Sequence, residues 1–357
     1  MRCIGIDPGT VSIDLVGLDG GELFLDRSIP TADALAEPGA FAESLRELHA
    51  VLIAGPSGYG LPLTRVEDAT DELLRLAYLA PAGENGGIGG LRALARALAD
   101  ARLPVLFTPG VLHLPSVPAY RKINRVDMGT ADKVCAAALA IHDQATRRGC
   151  GYGDVSFVLL ELGGAFSAAI AVSEGRIIDG LGGTAGPLGL RAAGALDGEV
   201  AFLAGAIGKA LLFTGGVASI IGGDTQPLDS LDTPRTDRDR LARDAFLESA
   251  VKAVASLMVS VPHPHEILLS GRATHLAGVE RALRLRLSPY GAVRRLEGFA
   301  RTAKEAAQGA ALIADGLAGG RYEALVTRMG LREAGGTVLD HLHLISPAAA
   351  RQRLGIA

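Results

Sequence analysis

The octapeptide CIGIDPGT at residues 3–10 begins the most informative stretch of the chain. Its pattern, followed to residue 29, predicts a short apolar strand, a tight turn at Gly9 and Thr10, and two further strands joined by a Gly-Gly turn. The first strand ends on Asp7. Glycine at position 9 lets the backbone approach a ligand closely, and Thr10 adds a hydroxyl group.

The turn of this first hairpin has two interpretations. Backbone N–H groups in such a turn form a concave anion site, and Asp7 would hold a hydrated Mg²⁺ beside bound phosphates. An ordinary hairpin accounts for the same residues equally well, because a short motif by itself is only a hypothesis.

A second stretch, residues 156–178, repeats the design. An apolar strand leads to Glu161, the pair Gly163 and Gly164 follows, and two more short strands complete the pattern. Two glycine hairpins, each with an acidic residue at its tip and about 150 residues apart, predict two related domains that face one nucleotide.

On these residues the sequence resembles the superfamily of acetate kinases, sugar kinases, chaperone ATPases and actin. In that superfamily the first hairpin holds the outer phosphates and the second holds the inner ones. A third stretch, EILLSGRA at residues 266–273, is similar to its adenosine motif. The resemblance implies an α/β fold with two duplicated actin-like (ribonuclease H-like) ATPase domains around a nucleotide cleft. We expect domains at 1–152 and 153–321, and a final segment at 322–357 that packs back on the first domain or on a partner subunit.

Three further stretches are similar to the butyrate kinases and their acetate kinase relatives, and most of all to an uncharacterised group of predicted butyrate kinases. They are GPLGLRAAG at 186–194, TGGVASIIG at 214–222 and KEAAQGA at 304–310.

The hairpins depart from that branch in ways that remove cations. Asp7 and Asp14 replace an Asn and a Lys of the first hairpin, and Glu161 replaces a His of the second. The loop at 55–60 lacks an Arg that precedes two glycines in those enzymes. In the butyrate kinases this Lys and this Arg contact phosphate or carboxylate, and both are missing here. The specificity for butyrate therefore does not follow from the resemblance.

The resemblance implies ATP and Mg²⁺ bound between the domains. Asp7 and Glu161 would hold the hydrated metal, with Glu305 joining them, and Arg191 would stabilise the transferring phosphoryl group. The same arginine also fits an ordinary surface position in a glycine-rich loop. The residues expected to contact the nucleotide itself are Gly9, Thr10, Gly163 and Gly164 at the phosphates, and Gly215, Gly216, Gly271 and Arg272 near the nucleoside.

A polar segment at 120–133 precedes a predicted helix over 134–147. Thr130 is a good N-cap and Asp132 suits the positive end of the helix, so a structural role accounts for both. That role does not account for the density of charge, which suits phosphate and carboxylate handling at a cleft. The charged residues concerned are Arg121, Lys122, Arg125, Asp127 and Lys133.

The sequence does not decide whether the phosphoryl acceptor is a carboxylate or an alcohol. A carboxylate is already ionised at neutral pH and needs no general base. An alcohol needs one, and Asp127 and Asp132 are the candidates. A third interpretation is an ATPase of the same fold whose domain closure regulates or activates a partner protein. We expect a small-molecule kinase with a carboxylate acceptor.

The composition of this 357-residue chain argues against some classes of binding partner. A net charge of −4 and the absence of tryptophan disfavour nucleic-acid binding, because neither a basic surface nor stacking platforms are provided. Three cysteines without metal-ligand spacing are typical of reduced thiols in the cytoplasm. The most membrane-like stretch, 200–222, contains glycine pairs that favour a buried helix followed by a loop over a membrane span. We expect no membrane partner, and a homodimer is a compatible assembly.

Two outlying regions give weaker expectations. The loop at 55–60 follows a predicted apolar strand, so Ser57 and Tyr59 are candidates for the substrate side, although a simple turn fits equally well. His341 and His343 alternate on a strand predicted over 338–345, where a polar strand face or a metal site without an evident third ligand both fit.

Overall fold

The computed structural model describes residues 1–9, 11–56, 58–80, 88–205, 207–222 and 227–356, so Thr10 and Ser57 lie outside the described residues. The strands are β1 (Arg2–Pro8), β2 (Ser12–Asp19), β3 (Glu22–Pro30), β4 (Leu52–Pro56), β5 (Thr64–Arg65), β6 (Val105–Thr108), β7 (Phe157–Leu162), β8 (Ser167–Ser173), β9 (Arg176–Leu181), β10 (Glu266–Ser270) and β11 (Val293–Arg295). The helices are α1 (Thr31–Ala36), α2 (Pro38–Arg46), α3 (Asp71–Tyr78), α4 (Ile88–Asp100), α5 (Ala119–Lys122), α6 (Ala131–Arg148), α7 (Gly198–Ala204), α8 (Val217–Ile221), α9 (Pro227–Asp232), α10 (Asp237–Leu257), α11 (Ala277–Leu287), α12 (Glu305–Leu317), α13 (Glu323–Met329) and α14 (Pro347–Arg353).

Two sheets repeat one design. The strand order is β3-β2-β1-β4-β6-β5 in the first sheet and β11-β10-β7-β8-β9 in the second. Each contains an antiparallel meander of three consecutive strands, and the first strand of each meander pairs on its other edge with a parallel strand. The predicted α/β fold built from two duplicated domains is therefore confirmed.

The pairing register brings the acidic tips of the two hairpins to matching positions. Asp7 lies opposite Asp14 next to the turn of the first hairpin, and Glu161 lies opposite Ala168 next to the turn of the second. Parallel pairing places Ser270 beside Glu161, so the chain leaves β10 close to the second hairpin. Because β1, β2, β7 and β8 are covered on both faces, most of their residues are buried and the turns alone remain open to a ligand.

Helices α6 and α12 pack together in the core that the two sheets share. A Cβ atom on Gly309 would lie 1.7 Å from the carbonyl oxygen of Cys135, and one on Gly5 would lie 2.2 Å from the amide nitrogen of Ala311. Glycine is needed at both positions because any side chain would force the backbones apart. The packing sets α12 against the first sheet, although the expected boundary at residue 321 groups it with the second half.

The segment after α12 contacts the first half of the molecule, and its helix α13 also contacts β9 of the second sheet. Arg351 forms an ion pair with Glu72. The hydroxyl group of Tyr322 donates a hydrogen bond to the carbonyl oxygen of Gly21 at 3.3 Å. Apolar residues of this segment, from Leu325 to Ile356, belong to the same core as α6 and α12.

The strand predicted over 338–345 is wrong. These residues form turns, and the Oδ1 atom of Asn124 accepts hydrogen bonds from the amides of His343 (2.7 Å) and Leu344 (2.9 Å). A side chain far away in sequence therefore satisfies backbone groups that the alternating pattern assigned to a sheet.

The stretch at 200–222 also differs from expectation. Helix α7 is short and has no buried residue, and Phe202 and Leu203 are 78% and 79% exposed, so the prediction of a buried helix is wrong. Within the described residues, no helix has both the length and the hydrophobicity needed to cross a bilayer. The three cysteines are free thiols.

Candidate functional site

A cleft of about 650 Å³ opens where the two hairpins face each other. Its walls come from both hairpin turns, from the first residues of α6 and α12, and from the loop after β10. Among the predicted site residues, the cleft is lined by Asp7, Gly9, Asp132, Glu161, Gly163, Gly164, Gly271, Arg272 and Glu305. Lys133 and Lys304 line it as well.

The glycines of the hairpin turns have distinct roles. The amide of Gly9 donates to the carbonyl oxygens of Asp7 (3.1 Å) and Ser12 (2.9 Å), which closes the first turn tightly. The amide of Gly163 closes the second turn through the carbonyl oxygen of Phe166 at 3.0 Å. Among the described residues, no atom lies within 4 Å of the place a Cβ of Gly164 would occupy, so this position leaves room for a ligand.

Asp7 lines the cleft and is 8% exposed. Burial and the nearby carboxylate of Asp132 raise its pKa to about 7, against the opposing effect of Lys304 and Lys133. Ionisation of Asp7 is therefore opposed by its burial first and by Asp132 second. A cation bound there would stabilise the ionised carboxylate.

Lys133 links two carboxylates of the cleft. Its Nζ atom lies 2.7 Å from Oδ2 of Asp132 and 2.5 Å from Oε1 of Glu161. Although burial opposes the charge, these two partners hold the pKa of the ammonium above its ordinary value. Lys133 therefore stays charged and ties α6 to the second hairpin.

Asp132 is held as an anion by its neighbours. Burial opposes ionisation, but Lys133 and the hydroxyl group of Thr130, which donates to Oδ1, keep the pKa of Asp132 below its usual range. The structure confirms Thr130 as the N-cap residue of α6. Its side chain, however, bonds Asp132 and accepts no hydrogen bond from a backbone amide of the helix.

The second lysine of the cleft, Lys304, supplies a cation to the first hairpin. Its Nζ atom lies 2.8 Å from Oδ2 of Asp14 and 2.7 Å from Oγ of Ser12. Asp14 is 1% exposed, so this ammonium neutralises a buried carboxylate on β2. A Cβ atom on Gly9 would lie 3.1 Å from the same Nζ atom, which places Lys304 directly at the turn.

The loop before α12 is anchored by Asp26 of β3. The carboxylate accepts hydrogen bonds from the amides of Arg301 (2.8 Å), Thr302 (2.9 Å) and Ala303 (2.7 Å). Despite partial burial, these three bonds hold the pKa of Asp26 below its usual range. The anchor fixes the backbone that carries Lys304 and Glu305 into the cleft.

The opposite wall of the cleft is formed by the loop after β10. Gly271 has φ +85°, and a Cβ atom there would lie 2.6 Å from the carbonyl oxygen of Leu162, so glycine is required. Arg272 and His275 line this wall together with the apolar Leu296 and Ala300. Apolar side chains beside a cationic one suit a nucleoside.

Asp127 does not line the cleft. Its Oδ2 atom accepts from both the amide (2.9 Å) and the hydroxyl group (3.0 Å) of Thr184, and its Oδ1 atom accepts from the amide of Gly129 (3.2 Å). Burial raises the pKa of Asp127 in spite of these bonds. Thr184 also hydrogen-bonds the side chain of Tyr59, whose pKa is raised mainly by burial. Asp127 thus holds a turn beside the loop at 55–60.

Arg191 lies on a loop at the rim of the cleft. Its amide donates to the carbonyl oxygen of Ala165 (3.0 Å), a residue of the cleft wall, and its carbonyl oxygen accepts from the amide of Gly216 (2.8 Å). The residue is exposed and does not line the cleft itself. Gly215 and Gly216 do not line it either: they pack beneath the Arg191 loop, where a Cβ on Gly216 would lie 2.5 Å from Arg191.

The donor set at the centre of the cleft fits Mg²⁺. Mg²⁺ prefers carboxylate oxygens and retains several waters, so one or two protein ligands suffice. The pKa of Asp7 is raised by burial and by Asp132, and Oε2 of Glu161 is buried without a hydrogen-bond partner among the described residues. In the described ranges no group of three or more His, Cys, Asp or Glu side chains could hold a metal, so an ion here would keep most of its water.

Comparison with solved structures shows the same fold. A propionate kinase from Francisella tularensis subsp. tularensis SCHU S4 matches with a TM-score of 0.63 at 14% identity, covering 86% of this chain and 98% of that one. An acetate kinase from Porphyromonas gingivalis matches with a TM-score of 0.63 at 10% identity, covering 87% and 98%. An acetate kinase from Entamoeba histolytica matches with a TM-score of 0.57 at 11% identity, covering 81% and 87%. The expected actin-like ATPase fold is therefore confirmed.

The chain belongs to the family described as "Protein of unknown function (DUF1464)", whose model matches residues 5–344. No curated protein matches the chain at a significant level. The family and the fold are thus established, whereas the reaction has to be argued from the cleft.

Two features of the cleft did not follow from the sequence. Neither Lys304 as the cation of the first hairpin nor Asp26 as the anchor of its loop was predicted, because both act across contacts between distant segments. A signal was available: Asp14 lies between the apolar Ile13 and Leu15 of β2, and a buried carboxylate is rarely left without a cationic partner.

Proposed function

We propose that this protein is an ATP- and Mg²⁺-dependent phosphotransferase that acts on a small molecule, and that its acceptor is a carboxylate. The observation that carries the proposal is the meeting of both acid-tipped glycine hairpins, two lysines and the adenosine-type loop in one cleft. Phosphoryl transfer needs little covalent chemistry from a protein and depends on positioning and charge neutralisation, which this set of residues offers. The fold shared with acetate and propionate kinases supports the same reaction class.

Each wall of the cleft has a role in this proposal. The turns at Gly9 and at Gly163 and Gly164 receive the phosphates, and Gly271 and Arg272 receive the nucleoside. Asp7 and Glu161 hold hydrated Mg²⁺, with Glu305 beside them. When bound, the ion neutralises phosphate charge.

The choice of a carboxylate acceptor follows from the state of the two candidate bases. Among the described residues, the carboxylate of Asp127 accepts its hydrogen bonds from Gly129 and Thr184, which lie outside the cleft lining. Asp132 lines the cleft, but its lowered pKa and its bonds to Lys133 and Thr130 make it a weak base. An acceptor that is already ionised needs neither. Its oxygen attacks the terminal phosphorus, the bond from that phosphorus to the bridging oxygen breaks, and ADP leaves without any proton transfer.

Arg191 completes the proposed site from the rim. Its backbone is hydrogen-bonded to Ala165 of the cleft wall, and its guanidinium group forms no hydrogen bond with the described residues. Closure of the two domains around a ligand, a motion common to two-domain enzymes, would bring it towards the terminal phosphate. There the planar guanidinium group would stabilise the charge on the transferring phosphoryl group.

A product screen tests this function. The protein with ATP and Mg²⁺ is offered short-chain carboxylic acids, sugars and other alcohols, ADP is measured, and acyl phosphates are trapped with hydroxylamine. We expect ADP and hydroxamate to form together with one or more acids, and both to be lost in Asp7→Ala. A phosphorylated alcohol would overturn the carboxylate acceptor, and ADP with free phosphate in the absence of any acceptor would indicate a regulatory ATPase instead.

A further inference from the structure

We propose that Lys304 is the cation of the first phosphate hairpin, where it contacts the outermost phosphate of the bound nucleotide and makes the site prefer a triphosphate over a diphosphate. The inference rests on the proposed function, because it assumes that the cleft binds ATP. In this proposal the phosphate contact of the first hairpin comes from Lys304, the N-cap residue of α12, and not from a residue of the hairpin itself.

The geometry of the ammonium carries this proposal. Nζ of Lys304 lies at the turn, 2.7 Å from Oγ of Ser12 and 2.8 Å from Oδ2 of Asp14, and the residue lines the cleft. A lysine ammonium has three donors, and these contacts use two of them. The side chain is 47% exposed, so the third donor is accessible to a ligand that enters the cleft.

Of the two lysines that line the cleft, Lys304 is the one in contact with the first hairpin. The other lysine of the central cleft, Lys133, is committed to Asp132 and Glu161. Arg272 lies on the loop after β10, at the nucleoside wall. Lys304 forms an ion pair with Asp14 of the first hairpin, and together with Lys133 it opposes the rise in the pKa of Asp7.

The backbone that carries Lys304 is held in place before any ligand binds. Asp26 fixes the three preceding amides, and Lys304 is itself the N-cap residue of α12, which is packed against β1. A cation on a fixed backbone loses little freedom when it binds a phosphate, so its charge contributes to affinity. Asp14, in turn, keeps the ammonium at the turn while the cleft is empty of nucleotide.

The test compares the affinities for ATP and ADP, each with Mg²⁺, by calorimetry. Lys304→Gln keeps a hydrogen-bond donor for Asp14 but removes the charge. We expect ATP affinity to fall about 10- to 100-fold, the range of one hydrogen bond to a charged group, and ADP affinity to change much less. Lys304→Arg should keep most of the preference for ATP. Lys252→Gln, which removes a lysine that is 74% exposed on α10, is the matched control and should bind as the wild type does.

A second variant controls for the loss of stability that an unpaired Asp14 would cause. Asp14→Asn combined with Lys304→Gln removes both charges, and its folding is checked by thermal unfolding. If this folded variant kept the wild-type ratio of ATP to ADP affinity, the proposal for Lys304 would be overturned while the proposed function stood. If the wild type bound neither nucleotide, the proposed function itself would fail, and the role of Lys304 with it.

Discussion

The ammonium of Lys133 lies 2.5 Å from Oε1 of Glu161 and so joins the start of α6 to the tip of the second hairpin. Asp132, the residue before it, accepts the same ammonium at 2.7 Å. One ammonium therefore pairs with two carboxylates, whose side chains are 26% and 16% exposed. It thereby joins two walls of the cleft.

Loss of that cation should destabilise the protein. Lys133→Met leaves Asp132 and Glu161 without their partner, and we expect the free energy of unfolding to fall by about 3 kcal/mol, as when one member of a buried ion pair is removed. Urea unfolding measures the change. Lys252→Met removes an exposed lysine and should cost less than about 1 kcal/mol. Adding Glu161→Gln to Lys133→Met should recover part of the loss, and equal stability of the two single lysine variants would contradict the assignment.

The buried imidazole of His113 should make stability depend on pH. The residue is 3% exposed, and burial, aided by Lys122, lowers its pKa to about 4 in the folded protein from 6.5. The unfolded chain therefore binds a proton more readily than the folded one between these values. The stabilisation is complete above pH 6.5 and is lost as the pH falls towards 4, by up to about 3 kcal/mol.

Replacement of the histidine isolates this effect. His113→Phe keeps a ring and removes the titration, so its stability curve should lack the slope between pH 6.5 and 4 that the wild type shows. His343→Gln changes an exposed histidine and should leave the slope unchanged. An identical pH dependence in His113→Phe and the wild type would show that other groups determine acid stability.

The sequence predicted the strands of both hairpins and β10 because period-two apolar patterns and glycine turns are local signals. The sequence also predicted that Asp7 and Glu161 lie in one cleft, because duplicated hairpins place equivalent residues in equivalent positions. It could not place Lys304, because 292 positions separate it from Ser12 and the contact depends on how α12 packs. The error at α7 has a similar cause: an apolar composition does not say whether another element covers the helix, and Phe202 remains exposed.

Asp127 separates a structural from a catalytic account of the polar segment before α6. Asp127→Asn replaces an acceptor by an amide that cannot accept all three existing hydrogen bonds, so stability should fall by about 1–3 kcal/mol. Turnover per folded molecule with a carboxylate acceptor should stay within about threefold of the wild type, because no base is required. A variant that stays folded and binds ATP but has lost turnover would favour an alcohol acceptor. Asp132→Asn, measured in the same way, tests the other candidate base.

The sharpest prediction concerns Arg191, which lies on the rim outside the cleft lining. If its guanidinium group stabilises the transferring phosphoryl group, Arg191→Ala should lower turnover by about 10²- to 10⁴-fold, as the loss of one preorganised charge-stabilising group does. ATP affinity should weaken much less, because the group acts mainly in the transition state. Arg191→Lys should recover only part of the rate, since an ammonium cannot reproduce the planar fork. Arg176→Ala, which removes an exposed arginine on β9, is the control for the loss of surface charge. Full turnover in Arg191→Ala would assign the residue to the surface of its glycine-rich loop and leave the transferring phosphoryl group to Mg²⁺ and the lysines of the cleft.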